Sequence, residues 1–183
     1  MKAISSSQLL GALQFRVESH IDQAITTYQN LSEAQLKIPS ATGGWSIAQC
    51  LEHLNSYGDY YLPEIKMAIN AYAGKPGLYA KRGWLGNYFI NMMNPDLPDK
   101  GYKAFKGHVP CADLKAYNTV ARFIDQQKEL LKLLGLARKT DLNTLRVPTS
   151  IFSWIRLRLG DTFEFLTIHN ERHIRQANRN LLI

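Results

Sequence analysis

Two histidines near the end of the chain, His169 and His173, have a spacing at which both could bind one metal ion. On a helix, residues four apart lie on the same face, with Cβ atoms about 5–6 Å apart. Two imidazoles placed in this way can reach a single divalent cation with bonds of roughly 2.0–2.1 Å. Because two ligands hold a metal weakly, the pattern predicts a site that is completed by a residue from another segment.

His53 is the best candidate for the third ligand. It follows Ser46, the predicted cap of a helix, by seven residues and lies among apolar positions. Three neutral histidines leave coordination positions open, which is typical of a catalytic metal site, whereas a structural zinc usually has four protein ligands. On spacing alone, a metal site and ordinary packing of partly buried histidines are both open interpretations.

Four other residues could contribute to such a site, and the sequence favours a plainer role for most of them. His20 is predicted to face solvent, one turn away from the apolar stripe of its helix. His108 lies in a connecting segment, and its approach to the site is the less favoured alternative. Tyr57 is predicted to pack in the core. Gln176, one turn after the last of the three histidines, could line the cavity or orient a ligand through a hydrogen bond.

Glu171 lies between the two C-terminal histidines in sequence, but a helix turns it away from them. The zinc proteases with two histidines four apart carry their general-base glutamate directly after the first histidine. This sequence lacks that His-Glu pair, so a protease of this type is excluded. Arg172 and Arg175 are interpreted as surface charges.

Four segments carry apolar residues at three- and four-residue steps and therefore predict four helices. These segments are residues 7–36, 46–73, 112–134, and 161 to the end of the chain. Pro63 predicts a kink in the second helix, and Gly135 predicts the end of the third. Glu164 is predicted to close a capping box in the fourth. With no convincing period-two alternation, the expected fold class is all-α, a four-helix bundle.

Two connecting segments interrupt the helices. Residues 74–110 combine repeated prolines and glycines with one short apolar piece, which predicts an irregular crossover with a short helix at 84–93. So long a connection often shapes a site. Residues 140–160 form the second connector, with an expected helical turn at 153–159. Six residues of the crossover could line a cavity or attract an acidic ligand: Lys81, Arg82, Trp84, Tyr88, Phe89 and Lys103.

The bulk composition predicts one soluble domain over residues 1–183, since this length suits a single core. Cys50 and Cys111 are too few for a disulfide framework, and no secretory signal or membrane span is recognised, so a cytoplasmic location is expected. The net charge is +7. Because the basic residues are dispersed and accompany no recognised motif, nucleic-acid binding is not favoured.

Two motifs carry a resemblance to a known family. Trp45-Ser46 followed by Glu52-His53-Leu54, and the C-terminal segment 169–176 with the sequence HNERHIRQ, resemble the DinB/YfiT superfamily of metalloenzymes. The resemblance spans nearly the whole chain in helix order and length. It implies a DinB/YfiT-like bundle in which His53, His169 and His173 hold a divalent metal ion, with zinc or nickel expected. The family motif also makes a structural salt bridge of Arg172 an alternative to a surface charge.

The resemblance also implies a set of functions. The first is a thiol-dependent S-transferase, in which the metal binds and activates a low-molecular-weight thiol, acting on a small-molecule substrate. A metal-activated thiol or water would be a nucleophile near neutral pH, so a metal-dependent hydrolase is the alternative. A third expectation is a non-catalytic, metal-binding stress-response protein. The resemblance further implies a homodimer.

Overall fold

Six α-helices make up most of the computed structural model, which describes residues 3–41, 43–97 and 103–182. The helices are α1 (Ser6–Thr26), α2 (Glu33–Lys37), α3 (Ile47–Asn70), α4 (Trp84–Met93), α5 (Ala116–Ala137) and α6 (Leu159–Asn178). Three short 3-10 helices occupy Tyr28–Asn30, Lys106–His108 and Arg179–Leu182. Residues 98–102 of the predicted crossover lie outside the described residues. No helix of the described chain is both long enough and apolar enough to cross a membrane.

The four long helices, α1, α3, α5 and α6, pack against one another as a bundle. Helix α3 contacts α5 and α6, and α1 contacts the same two helices from the other side. Their apolar stripes meet in two core clusters, one with Val17 and Phe163 and the other with Leu51 and Phe123, all completely buried. Burial of such stripes is the main source of helix stability in a bundle. The predicted all-α four-helix bundle and the short helix in the crossover are therefore confirmed.

The described chain also contains four short strands, which precede or follow the long helices: β1 (Ile4–Ser5), β2 (Tyr79–Ala80), β3 (Arg146–Pro148) and β4 (Arg156–Arg158). Strands β1 and β2 pair antiparallel, as do β3 and β4, where Val147 is opposite Leu157. The β3–β4 hairpin replaces the helical turn that was predicted at 153–159, so that prediction was wrong. Only the central residue of each of these two strands is buried, which is too short an alternation to be recognised in the sequence.

The helix boundaries also differ from the prediction in places. Helix α1 ends at Thr26, and a separate capping box begins α2, where the Ser32 side chain accepts a hydrogen bond from the Gln35 backbone N–H. Helix α5 continues past Gly135 to Ala137. Helix α3 ends at Asn70 and, as predicted, contains Pro63, and the kink expected at this residue stays a prediction.

Helix α4 is attached to α6 by two carboxylates. The backbone N–H of Gly83 donates to Asp161 Oδ2 at 3.0 Å, so a side chain of α6 caps the start of α4. The Arg82 guanidinium donates to both carboxylate oxygens of Glu164, which is buried. The prediction that Glu164 closes a capping box was therefore wrong. A Cβ atom at Gly86 would lie 2.3 Å from Asp161 Cγ, so only glycine allows this close approach of the two helices.

Candidate metal centre

Helices α3 and α6 bring the three predicted histidines together. The start of α3 is fixed by a capping box in which the Gln49 N–H donates to Ser46 Oγ and the Ser46 N–H donates to Gln49 Oε1. Two turns later, His53 is on the buried face of α3, opposite His169 and His173 on α6. The exposed fractions of the three side chains are 2%, 2% and 9% in this order.

The distances within this histidine triad suit one metal ion. His53 Nε2 lies 3.2 Å from His169 Nε2, and one nitrogen from each histidine falls within 4.8 Å of the others. Two nitrogens bound to the same tetrahedral ion with bonds of roughly 2.0–2.1 Å lie about 3.3 Å apart. The predicted convergence of His53, His169 and His173 is therefore present, and their assignment as metal ligands stays a prediction.

Two hydrogen bonds orient the triad. His53 Nδ1 donates to the backbone carbonyl of His108 at 2.7 Å, and His173 Nδ1 donates to Gln176 Oε1 at 2.9 Å. Since a carbonyl oxygen can only accept, Nδ1 carries the hydrogen in both rings, and the lone pair of Nε2 is free to bind a metal. His53 Nε2 thus turns a lone pair toward His169 Nε2, and a cation between the two nitrogens would be bound by both. The donor set fits a divalent metal.

Burial keeps the triad neutral. Desolvation lowers the pKa of His53 to about 4 and that of His173 to about 3. The pKa of His169 is also lowered well below its ordinary value, first by burial and then by the positive charge that its two partners would carry. A histidine must be neutral to bind a metal. At neutral pH the three nitrogens are therefore available without the loss of a proton.

Aromatic side chains surround the triad. Trp45 packs at centroid distances of 4.9 Å from His53 and 5.8 Å from His173. The ring centroid of Tyr57 lies 4.4 Å from that of His169. Burial raises the pKa of the Tyr57 hydroxyl, which therefore stays protonated and can donate a hydrogen bond. Tyr57 combines the predicted core packing with a place on the cavity wall. The polar nitrogens are thus enclosed in an apolar frame, where electrostatic interactions are strong.

A cavity of about 760 Å³ opens from the triad. Helix α4 supplies Tyr88 and Phe89 to its wall, and Lys103 and Phe105 come from the crossover. Ile151, from the β3–β4 hairpin, lines another side. This volume falls within the range of about 300–1,000 Å³ that is typical of small-molecule sites. The predicted role of the crossover in shaping a cavity is confirmed for these residues.

Several other predicted residues lie elsewhere. Lys81 and Arg82 line a separate cavity of about 330 Å³, so the prediction that they face the metal site was wrong. Trp84 is exposed and is not part of the wall. Glu171 faces away from the triad, as predicted, and pairs with Arg16 and Arg175.

His20 and His108 also differ from the predictions. His20 is buried and burial lowers its pKa to about 4, so its predicted exposure was wrong. It occupies the stripe of Leu13, Val17 and Ala24, and that spacing was the missed signal. His108 approaches the site through its backbone carbonyl, the alternative that the sequence favoured less.

His108 is held in place by its own side chain. Its ring hydrogen-bonds to Ser56 Oγ at 2.8 Å and to Ser150 Oγ at 2.9 Å, and it stacks on Tyr57 at a centroid distance of 3.9 Å. The ring thereby joins α3, the crossover and the segment after β3. These contacts fix the carbonyl that receives the hydrogen bond of His53. His108 therefore positions His53 without itself being one of the three proposed metal ligands. The spacing of residues in the sequence offered no signal for this role.

Replacing His108 with alanine should lower the affinity for the metal by about 10-fold, because alanine keeps the carbonyl that orients His53 but removes the side-chain contacts that fix it. The bundle should stay folded, since its core does not include this ring. Competition with a chromophoric chelator measures the affinity. The double variant Ser56→Ala/Ser150→Ala removes the two anchors and keeps the ring, so it should shift the affinity in the same direction. An affinity equal to that of the wild type in both proteins would contradict the role assigned to His108.

Comparisons with known proteins agree with this architecture. Residues 16–177 match the family model of the DinB superfamily, so the chain belongs to that superfamily. The fold is similar to that of YfiT from Bacillus subtilis, a probable metal-dependent hydrolase with an unusual four-helix bundle topology. The sequences are 14% identical, the TM-score is 0.53, and the match covers 96% of this chain and 85% of YfiT. The comparison with curated proteins gave no match.

Proposed function

We propose that this protein is a metal-dependent hydrolase that acts on a small molecule bound in the 760 Å³ cavity. The observation that carries the proposal is the buried triad of His53, His169 and His173 at the end of that cavity. The description of YfiT as a probable metal-dependent hydrolase supports the same class of reaction. Zinc or nickel is the proposed metal, because imidazole ligands suit both.

The triad would hold the metal through the three Nε2 atoms, with Nδ1 of His53 and His173 fixed by hydrogen bonds. A divalent cation bound there lowers the pKa of an exchangeable water or thiol and so provides an anionic nucleophile near neutral pH. Among the described residues, no aspartate or glutamate lines the cavity. A carboxylate of the described chain therefore does not serve as the general base. The protonated hydroxyl of Tyr57 is assigned to donate a hydrogen bond to the substrate oxygen that becomes negative.

A thiol-dependent S-transferase is the second candidate. The size of the cavity favours it, because 760 Å³ can hold a small thiol together with a second substrate. The cations on the cavity wall, among them Lys103, also suit a thiol that carries carboxylates. In this case the metal held by the same triad would help to form the thiolate, and the same cavity would hold the second substrate.

The experiment loads the metal-free protein with cobalt(II) and measures two responses. Hydrolysis of simple esters and amides should depend on stoichiometric cobalt and should fall about 100–1,000-fold in the Tyr57→Phe variant. Titration with cysteine or glutathione should produce no thiolate-to-cobalt charge-transfer band. A strong band with no hydrolysis would overturn the hydrolase in favour of the transferase. If neither response appears, both catalytic proposals are wrong, and a non-catalytic metal-binding protein is indicated.

A further inference from the structure

The wall of the main cavity carries positive charge only, among the residues that the structure describes. Lys103, Arg172 and Arg179 line it, and no aspartate or glutamate of the described chain does. The neutral triad adds no negative charge either. A divalent cation on the triad would add two further positive charges. The inference rests on the proposed function for this bound metal. A partly enclosed positive cavity favours an anionic ligand.

Arg172 lies on α6 together with His169 and His173, and Arg179 begins the 3-10 helix that follows α6. His169 and His173 continue to Gln176, and Arg172 continues through Gln176 to Arg179, in steps of three and four residues. Arg179 follows His173 by six residues, which corresponds to about 9 Å along a helix axis. Arg179 lines the same cavity as the triad, so one ligand can contact both its guanidinium and the triad.

The remaining wall is largely apolar and aromatic. Trp45, Phe89, Phe105 and Phe165 line it, together with Met92. Aromatic rings favour planar apolar ligands, and methionine adapts its shape to irregular ones. The cavity wall therefore combines apolar side chains with two polar features, the histidine triad and the guanidinium of Arg179. A ligand that satisfies all three has a reactive polar group, an apolar body and a separate negative charge.

We infer that the substrate is an aromatic or arylalkyl carboxylate whose carboxylate group binds Arg179 while its reacting group lies at the triad. A guanidinium binds a carboxylate through two parallel hydrogen bonds, which makes arginine well suited to this recognition. The alkyl or aryl body spans the distance between the two sites against Trp45 and Phe165. Residue 179 is thus a specificity-determining residue, separate from the groups that hold the metal.

The test compares 5-phenylpentanoate with its neutral amide, 5-phenylpentanamide, as ligands of the metal-loaded protein. Isothermal titration measures both affinities, and the metal content of each sample is measured in parallel. The wild type should bind the acid at least about 10-fold more tightly than the amide, and Arg179→Gln should remove this preference. Arg179→Lys should keep part of it. The matched control is Arg175→Gln, one turn earlier on α6 but paired with Asp96 and Glu171 outside the cavity, and it should keep the full preference.

Three results would overturn the inference. Equal affinities for acid and amide in the metal-loaded wild type would show that the cavity does not select a carboxylate. A preference that persists in Arg179→Gln would place the carboxylate elsewhere. Loss of the preference in Arg175→Gln as well would show a general effect of net charge. None of these three results contradicts the proposed metal-dependent function. Failure of that function would be recognised separately, by the absence of stoichiometric metal.

Discussion

Replacing His169 with alanine is expected to lower metal affinity, and any metal-dependent activity, by more than about 100-fold. This residue lies close to both other members of the triad: its Nε2 lies 3.2 Å from His53 Nε2, and its ring centroid lies 4.8 Å from that of His173. Its loss leaves two ligands on different helices, so the effect should exceed the 10–100-fold that orienting groups contribute. The change also removes a buried Nδ1 that has no described hydrogen-bond partner, so the bundle should stay folded.

The matched control for this variant is His20→Ala. His20 is also a buried histidine, and its pKa is lowered to about 4, but it lies on α1 and away from the cavity wall. Metal content by plasma mass spectrometry should therefore be close to one ion per chain in His20→Ala and close to zero in His169→Ala. Circular dichroism should show a helical spectrum for both. Stoichiometric, tightly bound metal in folded His169→Ala would contradict the ligand assignment.

The metal-free protein is expected to lose several kcal/mol of its free energy of unfolding when the pH falls from 7 to 5. Histidines in the unfolded chain titrate with a pKa near 6.5 and are largely protonated at pH 5. In the folded chain the pKa of His53 is about 4 and that of His173 about 3, because burial disfavours the charged form. The unfolded state therefore binds more protons between about pH 6.5 and pH 4, and stability falls as the pH falls.

The size of this effect follows from the pKa values. At pH 5 each such histidine lowers the free energy of unfolding by about 2 kcal/mol relative to pH 7. His20 adds to the effect, since burial lowers its pKa to about 4. Ordinary carboxylates titrate near pH 4 in the unfolded chain, so they contribute little in this window. Urea unfolding of chelator-treated protein at the two pH values measures the difference.

The variant His173→Gln provides the control for the pH effect. Glutamine does not titrate, so the stability of this variant should depend less on pH by about 2 kcal/mol over the same range. Saturation of the wild type with metal should instead raise the free energy of unfolding at pH 7, because the ion binds only the folded triad. Equal unfolding free energies of the metal-free wild type at pH 7 and pH 5 would show that the triad is not neutral and buried.

Features with local sequence signals could be predicted. The apolar stripes defined the four long helices, because burial of one face imposes the helical period on the sequence. The triad could be proposed because His169 and His173 share one helix face and His53 lies among apolar positions after a helix cap, and the family motif supported the same three residues. The short helix α4 was predicted with its bounds, since glycines and prolines flank its apolar run.

Features that depend on distant contacts could not be predicted in the same way. The start of α4 is capped by Asp161, which lies 78 residues away from Gly83 in the chain. The His108 carbonyl is selected as the partner of His53 only by the folded crossover. Backbone groups carry no sequence signature of their own, and Arg179 lines the cavity only because the 3-10 helix that follows α6 places it there. Zinc or nickel as the metal, the S-transferase reaction and the homodimer stay predictions.

The most direct test of the account is a crystal of the zinc-loaded protein with diffraction data measured on both sides of the zinc absorption edge. The anomalous difference map should contain one strong peak within roughly 2.0–2.1 Å of the Nε2 atoms of His53, His169 and His173. At least one further coordination position should face the cavity. A map of zinc-saturated crystals with no anomalous peak at the triad, or with the peak at another site, would contradict the central claim.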